Sequence, residues 1–359
     1  MDLAGLDRAE LETTLVAQDL PRFRARQIFH WIHGRGVTDF ARMTNLGREL
    51  RETLARTFTI DTPVVRSKQT SADGTTKFLL QLTDGREIEA VYIPDTPAQT
   101  FCVSTQVGCA MACAFCLTGK MGLVRNLSAG EIAGQVRVLA HETGLAGKPF
   151  NIVLMGMGEP LHNYDETMKA LRIVTDKDGL GVPVRRITLS TVGLVPAIEK
   201  LARERIMPNL AISLHATTDE QRSRIVPINR KYGLKELIDT CRRIPLKRRS
   251  RITFEYVLLN GVNDTPEDAR RLATLLAGVK AKVNLLPLNE AAGIPFTRPS
   301  DERVNAFARI LAERDVRVSV RKSRGRDIRA ACGQLIVEGQ RPSAAQRLGR
   351  ALGQAKVEC

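Results

Sequence analysis

The stretch Gly108-Cys-Ala-Met-Ala-Cys-Ala-Phe-Cys116 places thiols at Cys109, Cys113 and Cys116. Core packing does not call for thiols so close together. Thiolates at this spacing converge on one soft inorganic centre, and soft sulfur ligands select zinc, copper(I) or iron-sulfur clusters. Structural zinc closes four ligands and an electron-transfer cubane takes four cysteines, whereas only three stand together here. A [4Fe-4S] cluster on three thiolates leaves one iron open, a place to bind and break a small molecule. A zinc knot completed by His141 or His162 is the other reading of the same residues.

Outward from this loop the chain alternates between strand and helix. Strands are expected near 100–104, 151–155, 186–190, 209–214, 251–259 and 282–288, followed by 316–322. The first helix between them is opened by a capping box at Ser128 and Glu131 and closed by Gly144; others start near Asp165, Leu194, Leu234, Thr265 and Ser300. Six strand-helix units with right-handed crossovers curl into most of a barrel, so the expected fold is α/β, a partial (β/α)6 barrel over residues 97–338.

Before it, residues 1–60 read as a small helical domain. Asp7 caps a helix running to 18, Pro21 sits in the first turn of a second helix, and 45–58 form a third with Leu46, Leu50 and Leu54 on one face. Residues 61–96 form a β-hairpin extension, with strands 75–82 and 86–93 around Thr83-Asp84-Gly85. In its second strand Glu89 shares a face with Val91 and Ile93, which makes it either a partly desolvated carboxylate or an edge-strand glutamate in solvent. A basic, glycine-containing tail, 339–359, ends in Cys359.

In a barrel of parallel strands, chemistry collects where the strands end. There the sequence offers the cysteine loop, then Gly156-Met-Gly-Glu-Pro160, Ser190-Thr-Val-Gly193, Ser213-Leu214-His215 and Asn289. Glycines let backbone approach a ligand closely, while Glu159, Ser190, His215 and Asn289 offer hydrogen bonds suited to an amino acid and a ribose.

The net charge of +15 is gathered in runs: Arg185-Arg186, Arg242-Arg243, Lys247 to Arg251, and Arg321 to Arg329. Such a field attracts polyanions, and nucleic acid is the expected partner, against the plainer reading of a solvated arginine-rich surface. The first residues lack a charged and then apolar leader pattern, and no apolar run approaches the roughly 18–20 residues of a membrane helix. A soluble cytoplasmic protein, without membrane partners, is therefore expected. Seven cysteines, three of them clustered, fit a reducing compartment better than a disulfide framework.

The run CAMACAFCLTGKMGLVRNL (109–127), the GMGEP of 156–160, RGRDIRAACGQL (324–335) and FRARQIFHWIHGRGVTDFARMTNL (23–46) together closely resemble the RlmN/Cfr family of radical S-adenosylmethionine (SAM) RNA methyltransferases over essentially the whole chain. The adenine-C2 branch is the nearer. The resemblance implies one [4Fe-4S] cluster on Cys109, Cys113 and Cys116, with SAM on the open iron; the spacing C-x3-C-x2-C is that of radical SAM enzymes. It implies SAM contacts at Gly158, Glu159, Ser190, Ser213, Leu214, His215 and Asn289. Cys332 matches a cysteine that is itself methylated, Cys102 a thiol that later forms a transient disulfide with it, and Glu89 a proton acceptor. Two SAM molecules would be used per turnover, in a monomer serving 23S ribosomal RNA and tRNA with a flavodoxin-type electron donor. Methylation at C8 of the same adenosine uses the same parts. A non-catalytic iron-sulfur RNA-binding protein would need neither the open iron nor Cys102 and Cys332.

Overall fold

The computed structural model describes residues 1–94 and 99–338; the expected tail 339–359, with Cys359, lies outside them. The N-terminal region forms α1 (Arg8–Val16), α2 (Phe23–Phe29) and α3 (Arg48–Thr57). A reciprocal capping box opens α1, with Asp7 accepting from the Glu10 amide and Glu10 from that of Asp7, which satisfies two amides that a helix start leaves unpaired. The helix ends at Val16 rather than 18 because Asp19 turns left-handed, at φ 55°, and Leu20 returns its amide to Leu15. Past Pro21, α2 runs into one π-helical turn, His30–Gly34. The start of α3 falls at Arg48, because the Asn45 side chain is engaged elsewhere, accepting from the Trp31 indole at 2.5 Å.

An antiparallel meander follows: β1 (Val64–Thr70), β2 (Thr76–Gln81) and β3 (Glu87–Ile93). The exposed, polar β1 carries no alternation to read, so the sequence reading found only the two strands after it. β3 pairs with β4 (Thr100–Cys102), so the meander continues the main sheet instead of standing off it as an extension. Next comes a two-stranded ribbon, β5 (Gln106–Gly108) and β6 (Leu123–Asn126), enclosing the cysteine loop and the short α4 (Leu117–Met121).

From there α5 (Ala129–Glu142), β7 (Asn151–Leu154), α6 (Tyr164–Thr175), β8 (Ile187–Thr191), α7 (Val195–Leu201), β9 (Asn209–Ser213), α8 (Asp219–Ile225), α9 (Leu234–Arg243), β10 (Ile252–Leu258), α10 (Pro266–Leu275), β11 (Ala281–Pro287), α11 (Asp301–Ala312) and β12 (Val318–Val320) carry the chain round. β4, β7, β8, β9, β10 and β11 lie side by side in parallel, with β12 as a seventh strand at the edge. Parallel pairing puts every C-terminal strand end on one rim. An interior strand of this wall, β10, between β9 and β11, is buried at all seven positions, as a strand covered on both faces must be, and carries a single carboxylate, Glu255.

The N-terminal helices are pinned to the barrel by ion pairs of Arg8 and Arg26 with Asp178 and of Arg172 with Asp7. His33, in the π-helical turn, is fully buried, and among the described residues neither ring nitrogen has a hydrogen-bond partner. Burial first, and the charge of Arg137 second, hold its pKa well below the ordinary 6.5. Neutral when folded and protonated when unfolded, such a group leaves stability untouched above pH 6.5 and reduces it as pH falls below that value. His33→Leu removes no hydrogen bond, so near pH 8 it is expected to change stability by about 1 kcal/mol or less. Towards about pH 5 it should become more stable than the parent by a growing margin, which urea unfolding at the two pH values measures.

Candidate active site

The ribbon sets the ends of the cysteine loop. Gly108 has φ 75°, and a Cβ there would lie 1.9 Å from the Gly122 carbonyl oxygen, so only glycine lets β5 and β6 close. The Cys109 amide donates to Gly122 O at 3.0 Å and the Ala114 amide to Ile225 O at the end of α8. Cys109 and Cys113 are buried and Cys116 partly so, among Met111, Val257, Leu259 and Leu288. Burial, then the charges of Cys116 and Cys109, push the Cys113 thiol well up, so the three sulfurs sense one another. Among the described residues no three His, Cys, Asp or Glu side chains close tightly enough to grip one ion. His141 abuts Gly36 in the N-terminal region, and the His162 ring is within 2.9 Å of the Gln106 amide. Neither completes a zinc knot, and three thiols spread over one loop fit a larger group than a single ion.

The other expected residues line the same rim. Gly158, at φ 104°, backs onto Gln106, whose Cβ would sit 2.6 Å from any Cβ added there. The Glu159 carboxylate is turned inward, taking the Leu161 amide at 3.0 Å and the Val192 amide at 2.9 Å; burial nevertheless pushes its pKa up to about 7. It staples the loops after β7 and β8 to each other. Ser190 and Ser213 face each other on adjacent strands with their hydroxyl oxygens 3.3 Å apart. Leu214 is buried and its backbone is fully used, its amide donating to Glu255 O and its carbonyl accepting from Arg222.

His215 holds φ 60°, rare for a residue with a Cβ, and its ring meets Phe115 of the cysteine loop edge-on at 4.7 Å. Its Nδ1 accepts from the Val257 amide at 3.0 Å, while burial and then Arg222 push its pKa down to about 3, so the ring is neutral with its proton on Nε2. Asn289 gives its amide to Cys332 O at 3.2 Å, and its buried Oδ1 has no hydrogen-bond partner among the described residues. A buried orphan acceptor beside a glycine-cradled rim is the mark of a site that awaits a polar ligand.

Segments far apart in sequence are brought together here. The segment after β12 folds back over the cysteine loop: the Leu117 amide donates to Gly333 O at 2.8 Å and the Thr118 hydroxyl to Leu335 O at 2.6 Å. This brings Cys332 within electrostatic reach of the other thiols: Cys102 feels its charge, and Cys332 in turn feels that of Cys116. Cys332 is exposed but walled in; burial, then Glu255, raise its thiol while Arg321 opposes them. Cys102 is buried at the end of β4, its thiol pushed up by burial and by Cys332.

Glu89 lies on the same sheet face as Cys102, because Val91 pairs with Cys102 and strand side chains alternate. It is buried, not in solvent. The Lys77 ammonium sits 2.8 Å from its Oε1 and the Ile336 amide donates to Oε2 at 2.8 Å. Burial raises the carboxyl, and Lys77 is the main opposing influence. The pair opens on a cleft of about 550 Å³ whose far wall includes Asp327, Arg329 and Glu338.

Three contributors were missed by the sequence reading: Lys77, Arg222 and Glu255. Glu255 had a visible signal, a lone carboxylate inside an apolar strand, but Lys77 and Arg222 stand in polar runs that look solvated. The basic runs also divide. Arg185-Arg186, Arg242-Arg243 and Lys247 to Arg251 precede strands or close helices, so they lie at the barrel end opposite the site, and Arg242 and Arg243 are engaged with Asp239 and Glu199. Only Arg321 to Arg329 follows a strand end and stands at the rim.

A family model described as the radical SAM superfamily matches residues 103–273, and one described as the ribosomal RNA large subunit methyltransferase N-terminal domain matches 1–60. The dual-specificity RNA methyltransferase RlmN of Geobacter sulfurreducens is 51% identical over 335 residues, covering 93% of this chain and 92% of that one. The protein of the same name from Paracoccus denitrificans is 48% identical, covering 96% and 92%. The crystal structure of a radical SAM methyltransferase from Sphaerobacter thermophilus superposes with a TM-score of 0.89 at 49% identity, covering 93% of this chain and 99% of that one. Identity of this order along nearly the full length, on a rim built around three loop cysteines, leaves one conclusion: the chain belongs to the RlmN family of radical SAM methyltransferases.

Proposed function

We propose that this protein methylates C2 of an adenosine in 23S ribosomal RNA and in tRNA, carrying the methyl group on Cys332. The observation that carries the reading is the C-terminal segment folded back on the cysteine loop, with the Leu117 amide on Gly333 O and the Thr118 hydroxyl on Leu335 O, which brings Cys332 within electrostatic reach of both Cys102 and Cys116. A structural or electron-transfer protein has no use for two free thiols over an open cluster site. Cys109, Cys113 and Cys116 would hold a [4Fe-4S] cluster, and the rim from Gly158 to Asn289 would hold SAM. When bound, these groups supply the methyl group and the one-electron chemistry that activates it.

The chain's own residues divide the remaining work. Cys332 accepts the methyl group on sulfur, then presents the activated carbon to C2 and so becomes covalently bound to RNA. Glu89, kept ionised against burial by Lys77, takes the proton that C2 must lose. Cys102, as a thiolate, attacks the sulfur of Cys332 and forms the S–S bond as the S–CH2 bond breaks. The expelled methylene carbon takes up a proton to become the methyl group of the released RNA, and two electrons and two protons, the electrons from a cellular donor of flavodoxin type, return the Cys102–Cys332 disulfide to thiols. An adenine stacked inside an A-form helix cannot bring C2 to this recess, so a loop or end with splayed bases is the substrate. Two SAM per turnover, a monomer and a cytoplasmic location complete the proposal; no helix among the described residues is long and apolar enough to cross a membrane.

The test is nucleoside mass spectrometry on ribosomal RNA and tRNA from cells with and without this gene. The expected result is gene-dependent 2-methyladenosine in both pools; 8-methyladenosine, or no difference, would reject the proposal. RNA affinity should fall steeply with salt. Changing Arg321, Lys322 and Arg326 to Gln should weaken binding and lower the salt slope by up to about one unit per lost phosphate contact. Changing Lys247, Arg248 and Arg249, at the far end of the barrel, should leave the slope as it was.

A further inference from the structure

Arg222 of α8 is fully buried, which is rare for an arginine and costs several kcal/mol unless an anion compensates it. Its guanidinium reaches only uncharged acceptors: Leu214 O at 3.0 Å, Ser213 O at 3.1 Å, Val192 O at 2.5 Å and Asn229 Oδ1 at 3.1 Å. Among the described residues no carboxylate forms an ion pair with it. Asp219, on the same helix, commits its Oδ1 to the Asn229 side chain and the Leu234 amide. The helix that carries Arg222 ends against the cysteine loop, where Ile225 O takes the Ala114 amide, and Ile225 and Val226 pack with Cys113.

We propose that Arg222 is the buried counter-charge of the cysteine loop, a positioning residue that compensates cluster-bound thiolates and favours the cluster's reduced form while fixing the strand ends where SAM sits. The inference rests on the cluster reading above. The titratable groups facing Arg222 are Cys113 foremost, then Asp219 and Cys241, with His215 beside them. Thiols without metal at neutral pH bring Arg222 little charge, whereas metal-bound cysteines are thiolates. Each electron added makes the cluster and its ligands one charge more negative, and a fixed cation in a dry setting stabilises that state more. The same guanidinium grips carbonyls at the ends of β8 and β9, so charge and rim geometry depend on one side chain. Arg222→Lys separates the two, keeping a cation but losing the fork that spans four acceptors.

The test is an anaerobic redox titration of reconstituted parent, Arg222→Gln and Arg222→Lys, followed by electron paramagnetic resonance, with iron, sulfide and SAM affinity measured on the same samples. The expected Arg222→Gln result is a more negative midpoint potential at comparable iron content. Arg222→Lys should keep the parent's midpoint at low pH and drift more negative as pH rises and its buried ammonium loses its proton, while binding SAM several-fold more weakly throughout. An unchanged midpoint in Arg222→Gln overturns the proposal. Should that variant fail to fold or load, an Arg222→Lys midpoint that tracks the parent's at every pH overturns it instead. A parent that binds no iron and sulfide would sink the cluster reading itself, a separate outcome.

Discussion

Cys102→Ala protein supplied with SAM, reductant and RNA is expected to accumulate covalently bound to RNA, whereas Cys332→Ala protein should form neither adduct nor product. The charge of Cys332 reaches the Cys102 thiol, yet the proposed jobs of the two are sequential, so their losses differ in kind. Without Cys332 there is no sulfur to receive the methyl group, although the three loop cysteines and their cluster are untouched. Without Cys102 every earlier step remains available and only resolution fails. Nuclease digestion and peptide mass spectrometry of residues 329–335 would reveal a nucleotide-sized addition on Cys332. If the two cysteines were merely packed side chains, both variants would instead show small, similar stability losses of about 1–2 kcal/mol and no adduct. Full turnover by Cys332→Ala would rule out a methyl-carrying cysteine.

Any one of Cys109→Ala, Cys113→Ala or Cys116→Ala is expected to abolish the cluster and all methylation. The parent, reconstituted anaerobically, should hold about four iron and four sulfide and be brown, with three cysteines as its only protein ligands. Each alanine variant should be colourless and near zero in both. Because Cys109 and Cys113 pack among apolar side chains, alanine there leaves the loop's neighbours in place. Loss of colour with retained secondary structure therefore reports ligation and not unfolding. A colourless parent holding one zinc would contradict the assignment.

The parts of this site that were legible in the sequence share one property: the residue type is costly or odd where it stands. Three thiols in one loop and glycines before a buried proline-bounded turn have few bland explanations, and the strand-helix rhythm fixes which ends they share. The legible fold followed from the same rhythm, down to the helix cap at Asp7 and the capping box at Ser128. What stayed hidden depends on register and long-range closure. Whether Glu89 was buried or in solvent turned on β3 pairing with β4 rather than lying at an edge, and on Lys77 standing diagonally across β2. No local pattern encodes that. Arg222 sits in Asp-Glu-Gln-Arg-Ser-Arg, which reads as a solvated helix turn until the helix is seen plugged under the cysteine loop. The basic runs misled for a related reason, since charge density along the chain does not say which end of a barrel a loop occupies.

The central claim is that Cys332 is a methyl carrier, and the mass of one peptide tests it most directly. Protein purified from cells that supply SAM, digested to release residues 329–335, is expected to carry one methyl group on the sulfur of Cys332. That methyl should be lost on a single turnover with RNA and absent from protein lacking the loop cysteines. An unmodified Cys332 in protein that nonetheless methylates RNA would contradict the account.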